Sequence, residues 1–236
     1  VLADGTVFEG EAFGAETDTP ATGEVVFNTA LTGYQEIITD PSYAGQIISF
    51  TYPHIGNYGV TPADDESRSA FCRGVIVRDL ARRRSSWRAE GDLDDALRAY
   101  GIPGIAGLDT RRLTRLVRDT GAIPGAFGPT DTFDEATLRA AAAAEPGTAG
   151  VDLVSQVTTP SAYVAGDGPL VVAAYDFGIK TSIVEQLAAF ATVHVFPATA
   201  TADELRAVDP DGIFLSNGPG DPEMVGGAVD HIRDLL

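Results

Sequence analysis

Gly218 and Gly220 lie in the run Asp211 to Pro222, which reads Asp-Gly-Ile-Phe-Leu-Ser-Asn-Gly-Pro-Gly-Asp-Pro. A glycine has no Cβ, so a ligand can approach its backbone closely. Pro219 fixes its own φ and pushes Gly218 out of the helical region, which stiffens the loop. A stiff loop with a bare N–H is a candidate oxyanion donor, the group that steadies a tetrahedral intermediate of acyl transfer. The same residues also make a plain strand-to-helix connection, because Gly and Pro mark any turn. Spacing alone leaves both readings open.

The other chemically capable side chains are scattered. His54, His194 and His231 show no metal-binding spacing, and His194 falls inside an expected strand. Cys72 is the single cysteine, which excludes a disulfide framework and a cysteine-rich metal site. No glycine elbow surrounds it, so a small buried hydrophobe is the expectation rather than a nucleophile. Asp176-Phe177-Gly178 copies the kinase magnesium triplet, but a kinase's glycine-rich loop and His-Arg-Asp segment do not precede it, so a strand-to-helix turn is expected. Arg111, Arg115 and Arg118 share one helix face, and Arg82 to Arg84 form a short run. They suit either a solvated face or a dock for an acidic partner. Ser42, in Asp40-Pro41-Ser42-Tyr43, alone says only turn.

Elements must bring these residues together. Asp4-Gly5 reads as a hairpin turn with Thr6–Phe8 as its second strand. Glu24–Phe27, Gln46–Thr51 and Gly74–Val77 read as strands. Thr32–Thr39, Asp92–Tyr100 and Thr110–Asp119 read as helices, with Asp109 as the cap of the last and Gly121 after its end. Strands and helices do not alternate regularly, so an α+β domain is expected over 1–129. Residues 130–168 read as a connector, with a capping box at Thr132–Glu135 opening an alanine-rich helix. From Pro169 the order becomes β-α-β-α-β-α: Leu170–Tyr175, Lys180–Phe190, Thr192–Phe196, a second capping box at Thr201–Glu204, Ile213–Leu215, and Glu223–Leu236. That is the opening of a parallel sheet, with Ile213–Leu215 as a fully buried strand. Loops at the carboxyl ends of such strands bind ligands. Three strands make a poor sheet of this class. The domain at 169–236 is therefore expected to be incomplete.

Composition sets bounds. The chain has 236 residues, 44% hydrophobic and 21% charged, suiting one or two globular domains. A formal charge of −18 opposes a nucleic-acid or anionic-membrane surface. No apolar run is long enough to span a membrane. The first residues resemble no signal peptide and include no initiator Met, so a cytoplasmic, processed or incomplete chain is expected.

Several stretches together resemble the small, glutamine-hydrolysing subunit family of carbamoyl-phosphate synthetase. They are Gly23–Thr29, Thr32–Ile37, Thr39–Tyr43, Thr51–Asn57, Asp109-Thr110-Arg111 with Leu113-Thr114-Arg115, Ala174–Gly178, and Asp211–Pro222. The last motif is shared with other class I glutamine amidotransferases, whereas the N-terminal motifs are specific. The resemblance implies an α/β chain: an N-terminal swivelling β/β/α domain and the first part of a flavodoxin-like amidotransferase domain. It implies that a cysteine thiolate, absent from this chain, attacks the glutamine carboxamide and that ammonia passes to a large subunit. Gly218 and Gly220 match glutamine-binding glycines, and Ser42 matches a serine that touches glutamine from the N-terminal domain. L-glutamine and the large subunit are the implied partners, with ATP and Mg held by the large subunit and no cofactor in this one. The fragment itself is expected to be inactive. The alternatives are a non-catalytic module that only binds the large subunit and a class I amidotransferase serving another synthetase.

Overall fold

Between Glu11 and Ala144 the chain forms strands β1 (Glu11–Gly14), β2 (Ala21–Asn28), β3 (Gln46–Phe50), β4 (His54–Ile55), β5 (Gly74–Ile76), β6 (Asp79–Leu80), β7 (Pro103–Ala106) and β8 (Ile123–Phe127). The helices there are α1 (Tyr34–Thr39), α2 (Leu93–Tyr100), α3 (Thr110–Thr120) and α4 (Glu135–Ala144). Next come α5 (Val154–Val157), β9 (Tyr163–Ala165), β10 (Leu170–Asp176), α6 (Thr181–Ala188), β11 (Ala191–Pro197), α7 (Ala202–Arg206), β12 (Gly212–Leu215) and α8 (Ala228–Leu235). This computed structural model describes residues 1–235, so Leu236, the last residue of the expected final helix, lies outside the described residues. The chain divides into two compact units. The first holds Val1–Thr39 and Gly45–Thr148, and the second holds Asp40–Ala44 with the chain from Ala149 onward.

In the first unit six strands pair in the order β1-β7-β5-β3-β2-β8. The four inner strands run parallel, and β1 and β8 pair antiparallel at the two edges. Pro124 sits in β8, where an edge strand tolerates the missing N–H. Val25, Ile47 and Ile76 turn one face of the sheet toward Leu113 and Val117 of α3. These two lie one helical turn apart, and each fully buried aliphatic side chain contributes roughly 1.5–3 kcal/mol. Asp109 caps α3 as its spacing predicts, its Oδ1 accepting from the Arg112 N–H at 2.9 Å.

Two local expectations need correction. Asp4-Gly5 does turn the chain, with the Gly5 N–H donating to Leu2 O at 2.9 Å, but Thr6–Phe8 is not a strand. Leu2 instead makes an isolated bridge to Gly125. The cap of α4 is Asp134, which accepts from the Thr137 N–H at 2.7 Å, and not Thr132. The loop after Thr51 carries the short strand β4 and braces α1. There Tyr58 stacks on Tyr34 with ring centres 4.2 Å apart and accepts the Gly33 N–H at 2.6 Å.

Cys72 is 2% exposed in the first unit, and burial pushes its thiol up to about 12. A thiol at that value holds almost no thiolate at neutral pH. Native protein at pH 8 should therefore resist iodoacetamide and label promptly only after unfolding. Prompt native labelling, read by mass spectrometry, would contradict the buried placement.

In the second unit the sheet order is β12-β10-β11-β9. β10 runs parallel to both β11 and β12, as the β-α-β-α-β order predicts. The sheet gains a fourth strand, β9, which pairs antiparallel to β11. Alternation along β10 sends Ala174 to the α6 face with Val184, Val193 and Val195. It sends Ala173 and Tyr175 to the other face, with Phe196, Ala200 and Leu205 of α7. Both faces of β10 are thus covered, as a parallel strand requires. The buried Tyr175 hydroxyl donates to the Ala200 carbonyl. The capping box at Thr201 and Glu204 is present in full. β12 is not fully buried: Ile213 and Leu215 are 40% and 45% exposed, because among the described residues β12 pairs on one side only.

Candidate functional site

The carboxyl ends of β10 and β12 lie side by side, since the two strands are parallel neighbours with Tyr175 opposite Leu215. Each strand runs directly into a turn, Asp176–Gly178 after β10 and Ser216–Asp221 after β12. The two turns are tied by hydrogen bonds. The Phe177 N–H donates to Ser216 Oγ at 2.9 Å, and the Ser216 N–H donates to Tyr175 O at 3.2 Å. Asn217 Nδ2 donates to the Gly178 carbonyl at 3.2 Å.

Asp176 organises the first turn. It is 5% exposed, and its Oδ1 accepts from the N–H groups of Gly178 at 2.8 Å and Ile179 at 2.7 Å. Its Oδ2 accepts from the Thr159 N–H at 2.7 Å. Thr158 completes the link, donating to the Asp176 carbonyl at 2.6 Å. The expected strand-to-helix turn is there, and the carboxylate is the group that shapes it. Partial burial and the nearby Asp176 carboxylate both push the Tyr163 phenol upward.

The glycines of the second turn answer to geometry. A Cβ on Gly218 would lie 2.2 Å from the Phe177 carbonyl oxygen, closer than any real contact. Gly220 has φ +70, the left-handed region that favours glycine. Pro219 between them is buried, while Gly218 and Gly220 are exposed. Among the described residues no acceptor takes the Gly218 N–H. The loop therefore carries a bare donor at Gly218, and close packing against Phe177 is an independent reason for glycine there.

Ser42 joins this loop. It occupies a single turn of 3₁₀ helix, Pro41–Tyr43, capped by Asp40 Oδ1, which accepts from the Ser42 N–H at 2.8 Å. The segment Asp40–Ala44 belongs to the second unit although it lies far upstream in sequence. Ser42 Oγ accepts from Asn217 Nδ2 at 2.8 Å. Asn217 thus bridges Ser42 and Gly178, a role that no local pattern in the sequence announced. The other singled-out groups do not enter the loop's hydrogen bonding. His194 stacks on Phe196 at 6.5 Å, and Cys72 belongs to the first unit. Among the described residues no group of three or more His, Cys, Asp or Glu side chains could hold a metal ion, and no helix is long and apolar enough to cross a membrane.

Comparison with known proteins agrees with this architecture. The family model "Carbamoyl-phosphate synthase small chain, CPSase domain" matches residues 1–127, and "Glutamine amidotransferase class-I" matches residues 173–236. The chain is 48% identical over 254 residues to the carbamoyl phosphate synthase small chain of Pseudomonas aeruginosa, covering 100% of this chain and 66% of that one. It is 50% identical over 238 residues to the small chain of Chlorobaculum tepidum, covering 100% and 64%. A Nostoc small chain is 45% identical over 254 residues, with 100% and 65% covered. The chain therefore spans just under two thirds of the length of these relatives. With the mixed sheet of the first unit and the β10–β12 site of the second, these matches show that the chain belongs to the carbamoyl-phosphate synthase small-chain family.

Proposed function

We propose that this chain forms part of the glutamine-hydrolysing subunit of carbamoyl-phosphate synthase and supplies one wall of its glutamine site. The observation that carries the reading is the loop Ser216–Asp221 with its unused Gly218 N–H, hydrogen-bonded through Asn217 to Ser42. In this reading a cysteine thiolate attacks the glutamine carboxamide carbon. The Gly218 N–H steadies the oxyanion, ammonia leaves, and water hydrolyses the glutamyl thioester. Gly220 keeps the loop open for the substrate's approach, and Ser42 presents a hydroxyl to it. Cys72 does not serve as the nucleophile, because its thiol is buried and raised. The thiolate comes from outside residues 1–236. The ammonia passes to the large chain, where ATP and Mg activate bicarbonate for its capture.

The test is Ser42→Ala in the full small chain assembled with its large chain. Glutamine-dependent synthesis should fall roughly three- to tenfold in kcat/KM, the worth of one hydrogen bond, with ammonia-dependent synthesis unchanged. Equal loss with both nitrogen donors would replace the substrate-contacting role of Ser42 with a folding one.

A further inference from the structure

The arginines of α3 stand apart in this acidic chain. The chain carries a formal charge of −18, yet Thr110–Thr120 holds four arginines against one aspartate. Most exposed arginines elsewhere are neutralised by a neighbour, as Arg98 is by Asp94 at 3.0 Å and Arg139 by Glu135 at 2.7 Å. On α3, Arg118 pairs with Asp119 at 2.8 Å and Arg112 lies 5.0 Å over the Phe8 ring. Arg111 and Arg115 have neither an ion pair nor a ring contact among the described residues, and Arg115 acts only through space on the Asp119 carboxylate that Arg118 already holds. They form a ridge between two shallow grooves. One, of about 430 Å³, is bordered by Thr51, Thr114 and Arg118; the other, of about 370 Å³, by Thr6, Arg112, Leu116 and the carboxylates of Asp109 and Asp119. Both grooves are lined by Arg111 and Arg115.

We infer that the Arg111–Arg115 ridge is a docking surface for a carboxylate-bearing patch on the synthase's large chain. The choice of partner rests on the function proposed above; the choice of surface rests on the ridge. Leu113 and Val117 hold the opposite face of α3 against the sheet, so the ridge is presented on a fixed support. Arginines one helical turn apart, about 6 Å between Cβ atoms, reach into grooves on both sides instead of converging on a point. A small phosphate-sized anion needs convergent donors, whereas a protein surface can place carboxylates in both grooves. A symmetric pair of copies would bring ridge against ridge and repel. An acidic partner approaching elsewhere meets the chain's own negative field, so the ridge also fixes orientation.

The experiment measures binding of the full small chain to the purified large chain at low and physiological ionic strength. The variant is Arg111→Glu with Arg115→Glu. The control is Arg98→Glu with Arg139→Glu, which changes net charge equally on other helices. Circular dichroism checks that each is folded. The ridge variant should bind at least ~10-fold more weakly and lose most of its salt dependence, while the control stays near wild type. A ridge variant that binds as wild type, or a control that loses as much, overturns the inference and leaves the proposed function standing. A wild-type small chain that does not bind the large chain at all overturns that function's choice of partner, and the inference with it.

Discussion

Asp176→Ala should lower the unfolding free energy of the chain by about 3–5 kcal/mol, seen as an early loss of far-ultraviolet dichroism in urea. The size follows from what the carboxylate holds. Three backbone N–H groups, of Gly178, Ile179 and Thr159, donate to it. Gly178 and Ile179 are buried, so water cannot replace the lost acceptor there. Each orphaned buried donor costs about 1–3 kcal/mol. Asp176→Asn keeps one acceptor oxygen and should fall between alanine and wild type. A loss below about 1 kcal/mol for alanine would mean that the turn is held by something other than Asp176.

Gly218→Ala should cost about 1–3 kcal/mol although it adds a single methyl group. The new Cβ would sit 2.2 Å from the Phe177 carbonyl oxygen, and backbone cannot rotate away as a side chain can. Either the Ser216–Asp221 loop or the Asp176–Gly178 turn must move. On the function proposed above, that movement carries the Gly218 N–H away from the oxyanion, so glutamine-dependent turnover of the full small chain should fall with stability. Gly212→Ala is the internal comparison, because a Cβ there meets nothing within 4 Å. It lies in β12 and should be neutral or slightly stabilising, since glycine weakens a strand. Equal effects of the two substitutions would remove the argument from close approach.

Much of the framework could be read in the residues because it is decided locally. β3 and β10 are apolar runs bounded by turn formers, and their runs alone mark them as strands. The capping box at Thr201 spans one turn of helix and needs nothing from elsewhere. β1 and β7 could not be read this way. Glu11-Ala-Phe-Gly14 and Pro103-Gly-Ile-Ala106 contain strand breakers, and they become strands only because each pairs with the other across the sheet. β9 likewise exists because β11 offers it an edge. The burial of β12 was over-read for the converse reason: an apolar run predicts a strand but not how many neighbours it has. At the site, glycines 218 and 220 were legible as turn formers after a strand. The ties between turns were not. Ser42 and Asn217 are 175 residues apart, and Phe177 and Ser216 are 39 apart. The acceptor role of Asp176 was hidden behind a familiar triplet whose local pattern says only turn.

The assignment of Asp40–Ala44 to the second unit bears on how this chain can be divided and inherited. A stretch of gene beginning at codon 149 encodes the sheet but omits the turn that bears Ser42. The second unit is therefore not a contiguous cassette that recombination could lift whole into another protein. Five residues of it are spelled inside the reading frame of the first unit, between Thr39 and Gly45. Exchange of the second unit for a foreign one would leave that turn behind, matched to a loop it no longer meets. The two halves are thus expected to be kept together as a linked pair, with changes around Asn217 answered by changes around Ser42.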